Sequence, residues 1–293
     1  MTRQELVSQI FSKQSYLCVG LDTDRSKLPA HLQSQPDAIF AFNKAIIDAT
    51  KNFCVAYKIN TAFYEAEGLS GWEAMQQTVD YIPSSHFKIA DAKRGDIGNT
   101  SAQYAKAFFE TMAFDAITVA PYMGEDSLRP FLEYKDKWTV VLGLTSNAGA
   151  QDFELQKLVI ETDDLEEGVH TVRHTTQYLY ETVLQKASSW GSDENLMFVV
   201  GATNAAQFTN IRRLTPAHFY LVPGVGAQGG SLKEISEKAM THDCGLLINA
   251  SRAVIYASAG EDFAEAAGKA AKEYAEEMKI YLQQAPLKER RVL

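Results

Sequence analysis

Along the 293-residue chain, short runs of apolar, β-branched and aromatic residues recur at intervals. Eight stand out: YLCVGLD (16–22), VAYKIN (55–60), HFKIAD (86–91), AITVAP (116–121), WTVVLGLT (138–145), LMFVVGA (196–202), HFYLVPG (218–224) and GLLINAS (245–251). Most are almost continuously apolar, the pattern of strands covered on both faces. Between them, apolar residues fall at helical spacing. Ile39, Phe42, Ile46 and Ala49 make one stripe, and Ala102, Ala105, Phe109 and Met112 make another. Asp37 and Asn99 stand where the N-caps of those two helices are expected. Strands alternating with helices predict an α/β protein, and a count of eight predicts a single (β/α)8 barrel, a TIM barrel, over residues 1–293. A doubly wound open sheet is the alternative; the count and the lack of a composition break favour the barrel. Residues 146–195 are long for one crossover and predict an extra helical insertion, with a helix from about Asp164 to Ala187. The stretch 261–284 reads as an amphipathic helix closing the outer ring, followed by a short loose tail, APLKERRVL.

Composition adds limits. The chain is 46% hydrophobic and 22% charged, ordinary for a globular protein. A formal net charge of −9 argues against a nucleic-acid binder, which carries a basic face. Cys18, Cys54 and Cys244 are scattered and match no CxxC spacing, as for buried thiols in a reducing compartment. No apolar run reaches the ~18 residues of a membrane span. The N-terminal MTRQELVSQIF lacks a signal-peptide core, so a cytoplasmic location is expected.

The candidate chemistry lies where strands turn polar. Asp22 ends the first strand, Lys58 and Asn60 the second, Asp91 and Lys93 the third; Thr145, Ser146 and Asn147 follow the fifth. In a barrel these ends share one face, the face that carries active sites. Phe87, Ile89, Asp91 and Lys93 alternate and therefore share one side of their strand. Lys58 on the neighbouring strand can join them. A lysine flanked by carboxylates stays protonated, which suits a fixed cation and proton donor and not a Schiff-base amine. A lone Asp-x-Lys also fits a surface ion pair worth ~0–1 kcal/mol. The coincidence of several polar strand ends is what points to a site.

A second signal is PGVGAQGG (223–230), after the seventh strand. Its glycines let the backbone turn sharply and bring N–H groups close to an anion, Gln228 adds an amide, and Arg252 after the eighth strand can fork onto phosphate oxygens. Tight turns alone would also use such glycines. The six histidines give no metal-ligand set at the strand ends. His170 and His174, four apart on the expected insertion helix, have no carboxylate between them of the zinc-protease kind.

Together these segments resemble a known family. DAKRGDIGNT (91–100) is similar to the Asp-x-Lys-x-x-Asp signature of orotidine 5′-phosphate decarboxylases. CVGLD, YKIN, GLTSNAGA, PGVGAQGG and NASRAVIYA match that family's other strand-end motifs in the same order. Length and the LTSN wording resemble the longer bacterial branch, with Ala148 standing where that branch commonly has proline. The resemblance implies a homodimeric barrel that uses no metal and no organic cofactor and converts orotidine 5′-monophosphate to UMP and CO2, the last step of de novo UMP synthesis. It implies an array of Lys58, Asp91, Lys93 and Asp96. Asp96 and Thr100 would reach the partner's site, and Asp22 and Lys58 the ribose. Ser146 would bind the pyrimidine, and Gln228 and Arg252 the phosphate. Arg94 is left as a structural or interface residue.

Two other functions compete. A sister Mg²⁺-dependent decarboxylase of sugar-phosphate keto acids would need a carboxylate at the end of strand two, where this chain has Lys58. An inactive nucleotide-phosphate-binding barrel would keep Gln228 and Arg252 without needing the Lys–Asp array.

Overall fold

The structure, a computed structural model, describes residues 1–166, 169–226 and 229–284. Among them, eight parallel strands close into a barrel: β1 (Leu17–Gly20), β2 (Ala56–Asn60), β3 (Phe87–Arg94), β4 (Ala116–Val119), β5 (Trp138–Leu144), β8 (Leu196–Val200), β9 (Phe219–Pro223) and β10 (Leu246–Ala250). β6 (Lys157–Glu166) and β7 (Val169–Tyr178) form a separate antiparallel pair. Around the barrel the order is β1-β10-β9-β8-β5-β4-β3-β2. All eight apolar runs are barrel strands, and β1, β4, β8 and β10 are buried along their whole length. Helices outside and side chains inside cover both faces, so alternation is not needed to keep water off.

The interior is layered. At the starts of alternate barrel strands, Trp138 of β5 stands edge-on to Phe87 of β3 and Phe219 of β9, with ring centroids 5.8 and 6.0 Å apart. Such edge-to-face contacts suit aromatic quadrupoles. Arg3, from the first helix, Arg3–Lys13, lies over the Phe219 ring and donates to the Asp193 and Ala217 carbonyls. That closes the amino end and leaves the carboxyl end as the open mouth.

The outer helices follow the apolar stripes. Ala38–Thr50 buries Ile39, Phe42 and Ile46, with Asp37 at its N-cap position but making no side-chain cap bond. Phe263–Gln284 packs against it, and a Cβ at Gly268 would stand 3.0 Å from the Ala49 carbonyl oxygen. The helix Gly98–Lys106 starts one residue before Asn99, so Ile97 and not Asn99 holds the cap position. The three cysteines are free and buried. Among the described residues no helix is long and apolar enough to cross a membrane. The tail from residue 285 lies outside the described residues.

The insertion differs from its expectation. No helix starts near Asp164; a hairpin of β6 and β7 occupies 157–178, and a helix follows at Leu179–Trp190. Val159, Ile160, Thr162, Val169, Thr171, Val172, Thr175 and Thr176 crowd this segment with β-branched residues, which stiffen χ1 and favour strands. His170 and His174 therefore lie on a strand, where His174 Nδ1 is 3.4 Å from Glu161 Oε1 across the pair. The hairpin stands outside the barrel, because β5 pairs directly with β8.

Candidate active site

β1, β2 and β3 deliver Asp22, Lys58 and Asp91 to one spot at the carboxyl end. Lys58 Nζ lies 3.1 Å from Asp22 Oδ1 and 2.8 Å from Asp91 Oδ2. Asp91 Oδ1 takes Lys93 Nζ at 2.6 Å. The result is a continuous chain of alternating charge, Asp22–Lys58–Asp91–Lys93. The side chain of Lys58 is 5% exposed, whereas that of Lys93 is 50% exposed. Burial works against the Lys58 ammonium, but the charges of Asp91 and Asp22 outweigh it and hold its pKa above the ordinary lysine value. Burial likewise works against the Asp91 carboxylate, and the charges of Lys58 and Lys93 overcome it, holding its pKa far below the ordinary range. Lys58 is therefore a permanent cation and Asp91 a permanent anion at neutral pH.

Strand alternation brings Asp91 and Lys93 to the same side, but the strand is irregular there. Ala90 pairs with Ile117 and Arg94 with Val119, so three residues of β3 face one of β4. Lys93 takes a left-handed conformation, φ 47°. Arg94 turns outward. It pairs with Glu65, and its guanidinium lies 5.4 and 5.6 Å from the ring centroids of Tyr104 and Phe108. It is a packing residue, in keeping with its sequence reading.

Beside the array is a cavity of about 370 Å³. Asp22, Lys58 and Asp91 line it together with Gly224, Val225, Ser251 and Arg252. The approach of β1 to the end of β10 is tight: a Cβ at Gly20 would sit 1.9 Å from Ser251 Oγ. Gly224, Gly226 and Gly229 all have positive φ, as a glycine loop of this shape requires. The Gly226 and Gly230 N–H groups are engaged by the loop's own carbonyls, at 3.0 and 3.3 Å. Gln228 lies outside the described residues.

The remaining sequence candidates are not gathered here. Ser146 follows β5 against Gly201 and does not line this cavity. Asp96 accepts from the Ile97 N–H at 2.7 Å, and no ion pair among the described residues includes it. Thr100 is exposed on the first turn of its helix. Two residues that sequence reading passed over do line the cavity. Asn249 on β10 is buried, with its Oδ1 unpartnered among the described residues. Tyr256 Oη accepts from the Asp24 N–H and donates to the Asp22 carbonyl, bracing the loop that carries Asp22. Asn249 sits in a motif, NASRAVIYA, that drew notice only for Arg252; its position ending a buried strand was the available signal.

Fold and site together define a class: a (β/α)8 barrel with a charged cavity at the carboxyl ends of its strands. The chain belongs to the orotidine 5′-phosphate decarboxylase / HUMPS family, whose model matches residues 15–270. It is 53% identical over 281 residues to the orotidine 5′-phosphate decarboxylase of Bacteroides fragilis, covering 95% of this chain and 97% of that one. It is 55% identical over 271 residues to that of Christiangramia forsetii, covering 92% and 94%. Among solved structures it resembles OMP decarboxylase of Leishmania donovani, with a TM-score of 0.77 and 33% identity over 97% of this chain and 99% of that one. It also resembles UMP synthase of Leishmania donovani, with a TM-score of 0.78 and 35% identity, covering 95% of this chain but 56% of that longer one.

Proposed function

We propose that this protein is a carboxy-lyase that converts orotidine 5′-monophosphate to UMP and CO2, without metal or organic cofactor, as the last step of de novo UMP synthesis. The observation that carries the reading is the Asp22–Lys58–Asp91–Lys93 chain beside a cavity that Arg252 also lines. The bond from C6 to the carboxylate breaks, the electron pair stays on C6, and CO2 leaves. No ordinary electron sink receives that pair. A cation held beside C6 stabilises the charge as it develops. Lys93 is that cation, and it then transfers a proton to C6 and is reprotonated from solvent. Asp91 holds the Lys93 ammonium and sets a negative charge near the departing carboxylate. Asp22 and Lys58 take the ribose, Ser146 the pyrimidine, and Gln228 and Arg252 the phosphate. Phosphate binding far from C6 can then draw the loops closed and raise the rate, not affinity alone.

A homodimer with shared sites belongs to this reading. Asp96 and Thr100 act in the partner's site. In support, Asp96 has no ion-pair partner among the described residues, and Ile97, Tyr122 and Met123 on the neighbouring loops are exposed, Tyr122 to 84%. Gly95 ties those loops together, since a Cβ there would lie 3.0 Å from the Ala120 carbonyl oxygen. The Mg²⁺-dependent alternative meets Lys58, whose buried ammonium already occupies the space between Asp22 and Asp91 and pairs with both. The test is the decarboxylation assay after EDTA treatment. UMP formation at an undiminished rate is expected; folded protein that forms no UMP would refute the reading.

A further inference from the structure

The bulge in β3 leaves a backbone problem at Lys93. Three residues, Asp91, Ala92 and Lys93, lie opposite the single residue Thr118 of β4. The regular ladder cannot supply a partner to every N–H across such a mismatch. A non-glycine residue with positive φ also needs its surroundings to hold it there. Both demands meet in one side chain. Thr118, 1% exposed, accepts the Lys93 N–H on Oγ1 at 2.9 Å. The same hydroxyl donates to Asp91 Oδ1 at 3.1 Å. Asp91 Oδ1 thus has two donors, Lys93 Nζ and Thr118 Oγ1, while Oδ2 takes Lys58 Nζ.

We propose that Thr118 is a positioning residue for the proton donor: its one hydroxyl fixes the Lys93 backbone and the carboxylate that holds the Lys93 ammonium. Thr118 is buried and does not line the cavity. A hydroxyl accepts one bond while donating its own hydrogen, so the two contacts do not compete. Losing it frees Lys93 at both ends of its side chain. The main chain loses its anchor in the left-handed region, and Asp91 gains rotational freedom about its remaining partners. A displacement near 1 Å at a reacting group is enough to cost about two orders of magnitude in rate.

This inference rests on the proposed decarboxylation, so wild-type turnover is measured first. Thr118→Val keeps the branched shape and deletes the hydroxyl, and Thr118→Ser keeps the hydroxyl. The Val variant is expected to lose about 10- to 100-fold in kcat with KM changed by less than about threefold, the split of a lost positioning contact. Thr118→Ser is expected to recover most of that loss. A Val variant with wild-type kcat, or a Ser variant as impaired as Val, overturns the proposal, since the second result means packing alone. Should Thr118→Val fail to fold, Thr118→Cys, with its weak hydrogen-bonding thiol, takes its place with the same expected loss. A wild type without turnover refutes the decarboxylase reading, and the positioning claim then rests on a crystal structure of the Val or Cys variant. Lys93 leaving positive φ, or parting from Asp91, supports it; an unchanged Lys93 overturns it.

Discussion

Lys58 Nζ sits between two carboxylates from different strands, 2.8 Å from Asp91 and 3.1 Å from Asp22, and is nearly sealed from solvent. Removing one partner of such a buried set leaves the others uncompensated. Lys58→Ala is therefore expected to destabilise the fold by about 3–5 kcal/mol as well as to abolish turnover. Denaturant unfolding followed by circular dichroism measures the first effect. A variant as stable as wild type would mean that water replaces the ammonium at little cost.

The roles of Lys93 and Asp96 separate in mixing experiments. Lys93→Ala is expected to nearly abolish turnover while nucleotide binding stays measurable by calorimetry. Mixed with Asp96→Ala after proven subunit exchange, it is expected to restore part of the activity, because hybrid dimers hold one site with both residues intact. No recovery would place Asp96 in its own chain's site.

Stability should fall in mild acid, and His86 is one cause. It is buried, and Lys13 Nζ lies 2.7 Å from its Nε2 while also donating to the Lys51 and Cys54 carbonyls. The same Nε2 lies 2.8 Å from the Lys51 carbonyl oxygen, so the ammonium and the ring share that acceptor, and which contact the ring makes depends on its tautomer. Burial first, and the Lys13 charge second, lower the His86 pKa to about 4. The unfolded chain takes up this proton near pH 6.5 and the folded one only near 4, so the contribution is complete above pH 6.5 and drains away as pH falls to about 4. The difference corresponds to about 3 kcal/mol. His86→Gln, which cannot titrate, is expected to flatten the stability profile across that window. An unchanged slope would assign the acid sensitivity elsewhere, His218 being the next candidate, with its pKa also lowered to about 4 by burial.

Asp91 adds a second, lower window. Its folded pKa lies below the unfolded value of about 3.9, so its contribution is complete at neutral pH and lost only as pH falls below that value. Asp91→Asn should therefore change the stability profile below about pH 4 and leave its shape between pH 5 and 8 unchanged.

The hairpin of β6 and β7 is expected to be dispensable for folding. Leu179 N donates to the Gln156 carbonyl at 2.8 Å, so the chain closes on itself where the hairpin leaves. Replacing residues 157–178 by two glycines should shift the thermal midpoint by no more than about 4 °C, the equivalent of roughly 1 kcal/mol. Loss of the folded barrel on deletion would show that the hairpin braces it.

The eight strands were legible because each is a buried run too apolar to be anything else, bounded by polar residues at one end. Asp22, Lys58, Asp91 and Lys93 were legible for the same reason: charge at the end of an apolar strand is costly unless it is used. The hairpin was missed because a long polar segment suggested a crossover helix, although its Val, Ile and Thr content pointed to strands. Asn99 as a cap was missed because the turn after β3, not the side chain, sets where that helix begins. Thr118 was out of reach. Its strand gives no local sign of it, since its role exists only opposite the bulge in β3.

By itself, then, the sequence determined the strands, their order of polarity and the residue types at the mouth, because periodicity and burial are local properties of the chain. The tertiary structure alone decided which charges touch, that Lys93 stands in a left-handed conformation, and that one hydroxyl on β4 holds it there. Those are pairings between distant segments, fixed by barrel closure and strand register, which no single stretch of sequence encodes.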